Sequence, residues 1–278
     1  MRYAIDIAPL GELSDPHTVV RLAVAAEAAG WDGLSTWDTL GVSIGTSAPD
    51  PFVALAAVAS ATTRLRLIAS VIALPRRRPQ LVAQSAATLD RWSGGRLVLG
   101  VGSGGDPGDF LSFGEPFESK ERAAMMDESL ELVDAFLRGE TVRHEGPTWV
   151  VHDSAVGPTP IQQPRPPIWL GGMKPGALRR AAHWDGWIGI AVSEDGSAMV
   201  LSSEAFGGMV DRLHAERAAA GRTSAPFEVA VFGFSEPGER NLVARYGDAG
   251  ATWWLESLSP KRGPVARLLE RIEAGPPS

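Results

Sequence analysis

The chain reads as a (β/α)8 TIM barrel, and three observations predict that fold. Its 278 residues suit one large α/β domain, since α/β barrels run to ~250 residues as a single unit. Short β-rich runs recur along the chain, each followed by a segment of helical periodicity, and eight of each can be traced. That alternation favours a closed barrel over an open doubly wound sheet. The stretch Leu89–Gly105, LDRWSGGRLVLGVGSGG, shows the repeating unit. It ends a helix at Trp92, turns through Ser93, Gly94 and Gly95, runs the apolar strand Leu97–Val101 and opens into a glycine loop, Gly102–Gly105. A loop lacking Cβ atoms suits close approach of backbone to a ligand. Residues 1–278 show neither an internal repeat nor a disordered linker and are read as one domain.

The elements follow in order. Arg2–Ala8 is the first strand. Val19, Leu22, Ala26 and Ala29 share one helix face, and Gly30 ends that helix. Gly33–Trp37 is the second strand, and Pro51–Thr62 a helix with Asp50 as its cap. Leu65–Val71 is the third strand, Pro79–Trp92 a helix and Leu97–Val101 the fourth strand. Met126, Leu130, Val133 and Leu137 then mark a strong amphipathic helix at Lys120–Arg138. Gly139–Pro166 then breaks the pattern: it is polar and proline-rich, with a hairpin placed at Thr141–His144 and Thr148–His152. Alternation resumes with strand Ile168–Leu170, helix Gly176–His183 and strand Trp187–Ile190. Helix Glu204–Ala219, strand Glu228–Phe232, helix Glu239–Tyr246, strand Thr252–Leu255 and helix Pro264–Ile272 complete the barrel.

Composition excludes several classes of function. Hydrophobic residues make up 44% and charged residues 21%, an ordinary globular balance. The formal net charge of −7 argues against nucleic acid or an anionic membrane as partner. Arg76–Arg78 is too short for a nucleic-acid tract and reads as a solvated loop or at best an anion contact. The absence of cysteine excludes disulfides, thiolate catalysis and iron–sulfur clusters. Asp6 interrupts the N-terminal apolar run, so MRYAIDIAPL is neither a signal peptide nor an anchor, and a cytoplasmic protein is expected.

In such barrels the chemistry lies at the carboxyl ends of the strands. The five histidines form neither HxH nor HxxxH pairs, and none falls at a strand end, so no metal site is expected. Two glycine loops fall on the expected face, Gly102–Gly105 and Gly171–Gly172, and the second opens a helix. Either alone could be a tight turn; together they favour a phosphate-bearing cofactor. Neither matches a Walker loop or a GxGxxG fingerprint. Asp38 and Glu256 are the carboxylates at strand ends. Most of the nine tryptophans are expected to pack in the core, with one or two walling a flat ring or an apolar substrate.

The ordered set of segments resembles the luciferase-like flavin and deazaflavin oxidoreductase superfamily. The resemblance runs from Gly30–Asp38 (GWDGLSTWD) through Asp50-Pro51, Leu55 and Thr62–Ile68 to Leu89–Gly104. It continues in Phe113-Gly114, Glu121-Arg122, Gly139–Gly146 (GETVRHEG), Pro158–Gly172 and Asp185-Gly186-Trp187. The resemblance implies a (β/α)8 barrel with an insertion after strand four that partly covers the site, and a cis peptide at Ser70–Val71 that supports the central ring of the cofactor. It also implies that Asp38, Ser70, Val71, Gly102, Ser103, Gly104, Gly171, Gly172 and Met173 line that cofactor, the last three holding its phosphate.

Members that use FMN and oxygen often carry an Asn-rich segment after the fourth strand, where this chain has GVGSGG. The resemblance therefore implies coenzyme F420, a deazaflavin that transfers hydride, with an FMN monooxygenase fed by a separate reductase as the alternative. Two departures matter. Thr39 stands where the family often has histidine, and Gly105 where its sugar-phosphate dehydrogenases carry an acid. Thr39 and Glu256 are left to handle a proton. Ala8, Thr39, Phe232, Phe234 and Trp254 would form a substrate pocket for an uncharged organic molecule, and the resemblance implies a homodimer.

Overall fold

A computed structural model describes residues 1–193 and 197–277. Eight parallel strands close into a barrel: β1 (Arg2–Ile7), β2 (Gly33–Thr36), β3 (Arg66–Ala73), β4 (Leu97–Gly102), β7 (Ile168–Gly171), β8 (Gly186–Ile190), β9 (Glu228–Gly233) and β10 (Trp253–Leu258). β1 pairs with both β2 and β10, which closes the ring. Between them run α1 (Pro16–Ala28), α2 (Pro51–Ala61), α3 (Pro79–Trp92), α5 (Ser119–Leu137), α6 (Pro175–Ala181), α7 (Ser203–Ala219), α8 (Arg240–Asp248) and α9 (Val265–Glu273). A short extra helix, α4 (Gly108–Leu111), precedes α5, and the antiparallel pair β5 (Val142–Glu145) and β6 (Val150–Ser154) stands outside the barrel.

Local chemistry starts the helices where the sequence says they start. Asp50 accepts from the Phe52 and Val53 N–H groups at 2.9 and 3.2 Å, with Pro51 fixing the first turn. Asp15 does the same for α1 through His17 and Thr18. Strand alternation then builds two layers. Ala4, Ile68, Val98, Trp169, Ile188, Ala230, Phe232, Trp253 and Leu255 form one cluster inside the barrel, while the neighbouring positions join the larger core beneath the helices. Trp169 and Trp253 meet edge to face at 5.8 Å and fill the amino-terminal end, where Arg2 lies 4.4 Å over Trp253 and pairs with Glu228.

Carboxylates pin the long excursion before β7. Asp90 is buried on α3 and accepts from Ile161 N–H at 2.8 Å and from Gln162 N–H at 3.0 Å. Glu128 on α5 accepts from His144 at 2.8 Å and from the Thr148 and Trp149 N–H groups at 3.0 and 2.8 Å, which fixes the hairpin to the barrel wall. Burial alone would raise the Glu128 carboxyl, but these hydrogen bonds outweigh it and hold it below its ordinary value. Among the described residues no helix is long and apolar enough to cross a membrane.

Candidate active site

The carboxyl end of the barrel is organised around one irregularity in β3. Its register with β4 shifts between Ala69 and Ile72, and the Ser70–Val71 peptide within the shift is cis, as the resemblance implied. Ser70 is buried, and its hydroxyl has no hydrogen-bond partner. Val71 packs partly exposed against the cluster inside the barrel. A Cβ at Gly102 would lie 2.5 Å from Val71 Cγ1, and one at Gly171 would lie 2.8 Å from Val71 Cγ2. Neither contact can stand unless Val71 shifts, so β4 and β7 carry glycine where Val71 occupies the space. The sequence reading gave these glycines to the ligand directly; the structure gives them first to the side chain beside it.

The rest of the glycine loop is held by a residue to which the sequence assigned no role. Arg122, buried on α5, donates to the carbonyls of Ser103 and Gly104 at 3.1 and 2.6 Å. Its guanidinium lies 4.1 Å over the Phe117 ring and 5.1 Å over Phe110. On the next strand the Gly172 carbonyl accepts from Trp187 Nε1 at 2.8 Å. Met173 turns its sulfur to the Ile190 N–H at 3.3 Å.

Asp38 and Thr39 lie beside this loop, and both are already partnered. The Asp38 carboxylate accepts from Ala73 N–H at 3.1 Å and from Arg77 Nε and Nη2 at 2.9 Å each, with Arg76 at 3.0 Å. The Thr39 hydroxyl donates to Asp109 at 2.8 Å and accepts from Gly41 N–H at 2.9 Å. Asp109 also accepts from Leu40 N–H at 2.9 Å. These groups tie the loops after β2, β3 and β4 to one another. The arginine run needs correction accordingly. Arg76 is only 6% exposed, drawn in by Asp38 and Asp109, and just Arg78 stays at the surface. Burial would lower Arg77, but the carboxylates of Asp38 and Asp50 outweigh it and hold its guanidinium charged.

Across the mouth, Phe232 and Phe234 join the inner cluster, and Ala8 is buried at the end of β1. Trp254 and Glu256 do not join them. On β10 the inner positions are Trp253 and Leu255, so alternation turns Trp254 and Glu256 outward. Trp254 packs on Tyr246 at 5.5 Å and donates Nε1 to Glu256 at 2.9 Å. Glu256 is fully buried and accepts from Ser235 N–H at 3.0 Å, the Ser235 hydroxyl, Arg262, and Arg271 at 3.1 Å. It is the centre of a closed ion network between barrel and helices, with its oxygens already taken up by protein donors.

A different carboxyl faces inward. Asp6 on β1 stands in register with Ser35 on β2 and Ser257 on β10. It is 4% exposed, its Oδ1 has no partner, and neither has the Ser35 hydroxyl. Burial pushes the Asp6 carboxyl up to about 8, with the Ser35 side chain acting in the opposite direction. The signal for it was present in RYAIDIA, where Ala4, Asp6 and Ala8 alternate with larger apolar residues.

Comparison with known proteins agrees with this architecture. Residues 4–246 match the family described as luciferase-like monooxygenase. Uncharacterised proteins of Mycobacterium tuberculosis and Mycobacterium bovis are 33% identical over 261 residues, covering 86% of this chain and 84% of theirs. Among solved structures, the coenzyme F420-dependent tetrahydromethanopterin reductase of Methanopyrus kandleri superposes with a TM-score of 0.80 at 18% identity, covering 98% of this chain and 96% of its own. The monooxygenase RslO1 of Streptomyces bottropensis superposes with a TM-score of 0.81 at 20% identity, over 99% and 97% of the two chains. An F420-dependent secondary alcohol dehydrogenase reaches 0.82 at 15% identity, over 98% of each. The length of the family match and the mycobacterial relatives together place the assignment beyond fold alone: the chain belongs to the luciferase-like monooxygenase family.

Proposed function

We propose that this oxidoreductase binds coenzyme F420 in the barrel mouth and moves a hydride between it and an organic substrate. The observation that supports this most is the Ser70–Val71 segment. It presents a buried hydroxyl without a protein partner beside an apolar surface, and the glycines of β4 and β7 make room for it. A flat, largely uncharged ring suits such a mouth, since Val71, Phe232 and Phe234 are apolar. Ser70, Val71, Gly102, Ser103, Gly104, Gly171, Gly172 and Met173 would hold the coenzyme. When bound, it supplies two-electron hydride chemistry. The chain's own residues orient and exclude. Asp38, Arg76 and Arg77 fix the Val71 segment from behind, Arg122 fixes the glycine loop, and the apolar wall keeps water from the ring.

The absence of an Asn-rich segment in GVGSGG favours F420, and F420-dependent enzymes stand among the structural neighbours. The family description and the neighbouring monooxygenase support FMN as a second reading, which would require a separate reductase. Equilibrium titration with F420 and FMN separates the two. F420 at 100 times its dissociation constant is expected to stabilise the protein by about 2.7 kcal/mol. Tight binding of FMN with no binding of F420 in either redox state would overturn the deazaflavin assignment.

Assembly as a homodimer belongs to the same reading. The outer face of α2 and α3 exposes Val53, Leu81 and Trp92, and α2 carries no charged residue. A two-fold contact sets a surface against its own copy, and an uncharged face meets itself without repulsion. Sedimentation is expected to give twice the 29.4 kDa chain mass, and Trp92→Glu to give the single mass. A monomeric wild type would remove the proposal.

A further inference from the structure

Asp6 is a carboxyl group that the fold buries and leaves unpaired. Such a group is costly to keep ionised and is neutral where no cation reaches it. Among the described residues no cation reaches Asp6. Arg2 lies on the same inner side of β1 but four residues toward the other end, about 13 Å away at ~3.3 Å per residue, and pairs there with Glu228. Arg66 on β3 is likewise at that end, donating to the Gly95 and Leu97 carbonyls. Glu256 on β10 faces the opposite side and is neutralised by Arg262 and Arg271. Asp38, beyond β2, is taken up by Arg76 and Arg77. The groups in register with Asp6 are the hydroxyl residues Ser35 and Ser257. Trp169 and Trp253 fill the barrel toward its amino-terminal end, and Asp6 stands one residue before the carboxyl end of β1, level with Ser35 and Ser257 on the mouth side of that filling.

We propose that Asp6 is the proton donor of the barrel mouth, acting on a neutral carbonyl or imine substrate. This rests on the oxidoreductase reading above. As a hydride donor of the flavin or deazaflavin class reduces the carbonyl or imine carbon, Asp6 gives its carboxyl proton to the oxygen or nitrogen. The π bond to the heteroatom breaks, one C–H and one O–H or N–H bond form, and the Asp6 carboxylate regains its proton from water. A carboxylate substrate is disfavoured, because among the described residues no cation reaches Asp6 on the inner face of this end.

Infrared spectroscopy of the protein, with and without coenzyme, tests this directly. The wild type is expected to show the carbonyl-stretch band of a protonated carboxyl at pH 7. The band should titrate with a midpoint near 8 and be missing in Asp6→Asn. Ser35→Ala, which removes the group that opposes the rise, should move the midpoint up. Thermal stability should follow the same sign. The neutral form contributes stability that is present at low pH and lost as pH rises through about 8, and Asp6→Asn should lack that loss. Binding of F420 displaces mouth water and should move the midpoint further up. In carbonyl reduction by the loaded enzyme, Asp6→Asn should lower kcat about 10²–10⁴-fold. An Asp6 that is ionised at pH 7, a midpoint that F420 binding leaves unmoved, or an undiminished kcat in Asp6→Asn would overturn the proposal. Failure of both F420 and FMN to bind, with the midpoint still near 8, would instead overturn the cofactor reading, and with it the donor role.

Discussion

Glu256→Ala is expected to destabilise the protein by about 3–5 kcal/mol, the usual result of removing one partner from a buried ion network. The size follows from what is left behind. Arg262 and Arg271 are each 5% exposed in their side chains and would lose their carboxylate together. Ser235 N–H and Trp254 Nε1 would lose an acceptor in a place water cannot easily enter. Glu256→Gln keeps the shape and one acceptor oxygen, so its cost should be smaller, about 1.5–3 kcal/mol for hydrogen bonds that lose their charge. Urea unfolding measures both. Turnover by the folded fraction should be unchanged in the glutamine variant, because the side chain faces the helices. A glutamine variant of wild-type stability and collapsed turnover would return Glu256 to the acid–base role its position in the sequence implied.

Glu256 also marks where sequence reading stops. A run such as Thr252–Leu255 locates a strand and its end, and all eight barrel strands were legible in this way. The direction of a side chain at that end depends on register, and a shift of one residue exchanges inside for outside. Trp254 and Glu256 fell on the wrong side of that choice, and Asp6, on the right side, entered the sequence reading as a charge interrupting an apolar run and not as a site residue. The Ser70–Val71 peptide came from the resemblance; no local pattern announces it. The anchors of the excursion were illegible for a simpler reason. Asp90 meets Gln162 across 72 residues and Glu128 meets Trp149 across 21, so neither pairing leaves a helical or strand spacing to be read. Asp50, whose partners are two and three residues away, was read correctly.

Gly102→Ala should reduce both stability and coenzyme affinity, through Val71. The new Cβ would stand 2.5 Å from Val71 Cγ1, on a strand whose own backbone is fixed by β3 and β7. Val71 must therefore move, and with it the segment that faces the mouth. Overpacking of this kind costs about 1–3 kcal/mol. A displacement of the ring's support should weaken F420 binding by at least about tenfold, or ~1.4 kcal/mol. Gly105→Ala is the control, since a Cβ there meets nothing within 4 Å. It should leave stability and binding unchanged although it lies in the same loop. Val71→Ala in the Gly102→Ala background removes the methyl that clashes and should recover much of the lost stability, giving a coupling of about 0.5–3 kcal/mol between the two sites. If glycine were required at residue 102 only because a ligand touches it, the double variant would bind no better than Gly102→Ala, and the unliganded single variant would be as stable as wild type. Recovery on removing a neighbour's methyl group separates the two accounts, because only packing against Val71 can be relieved from that side.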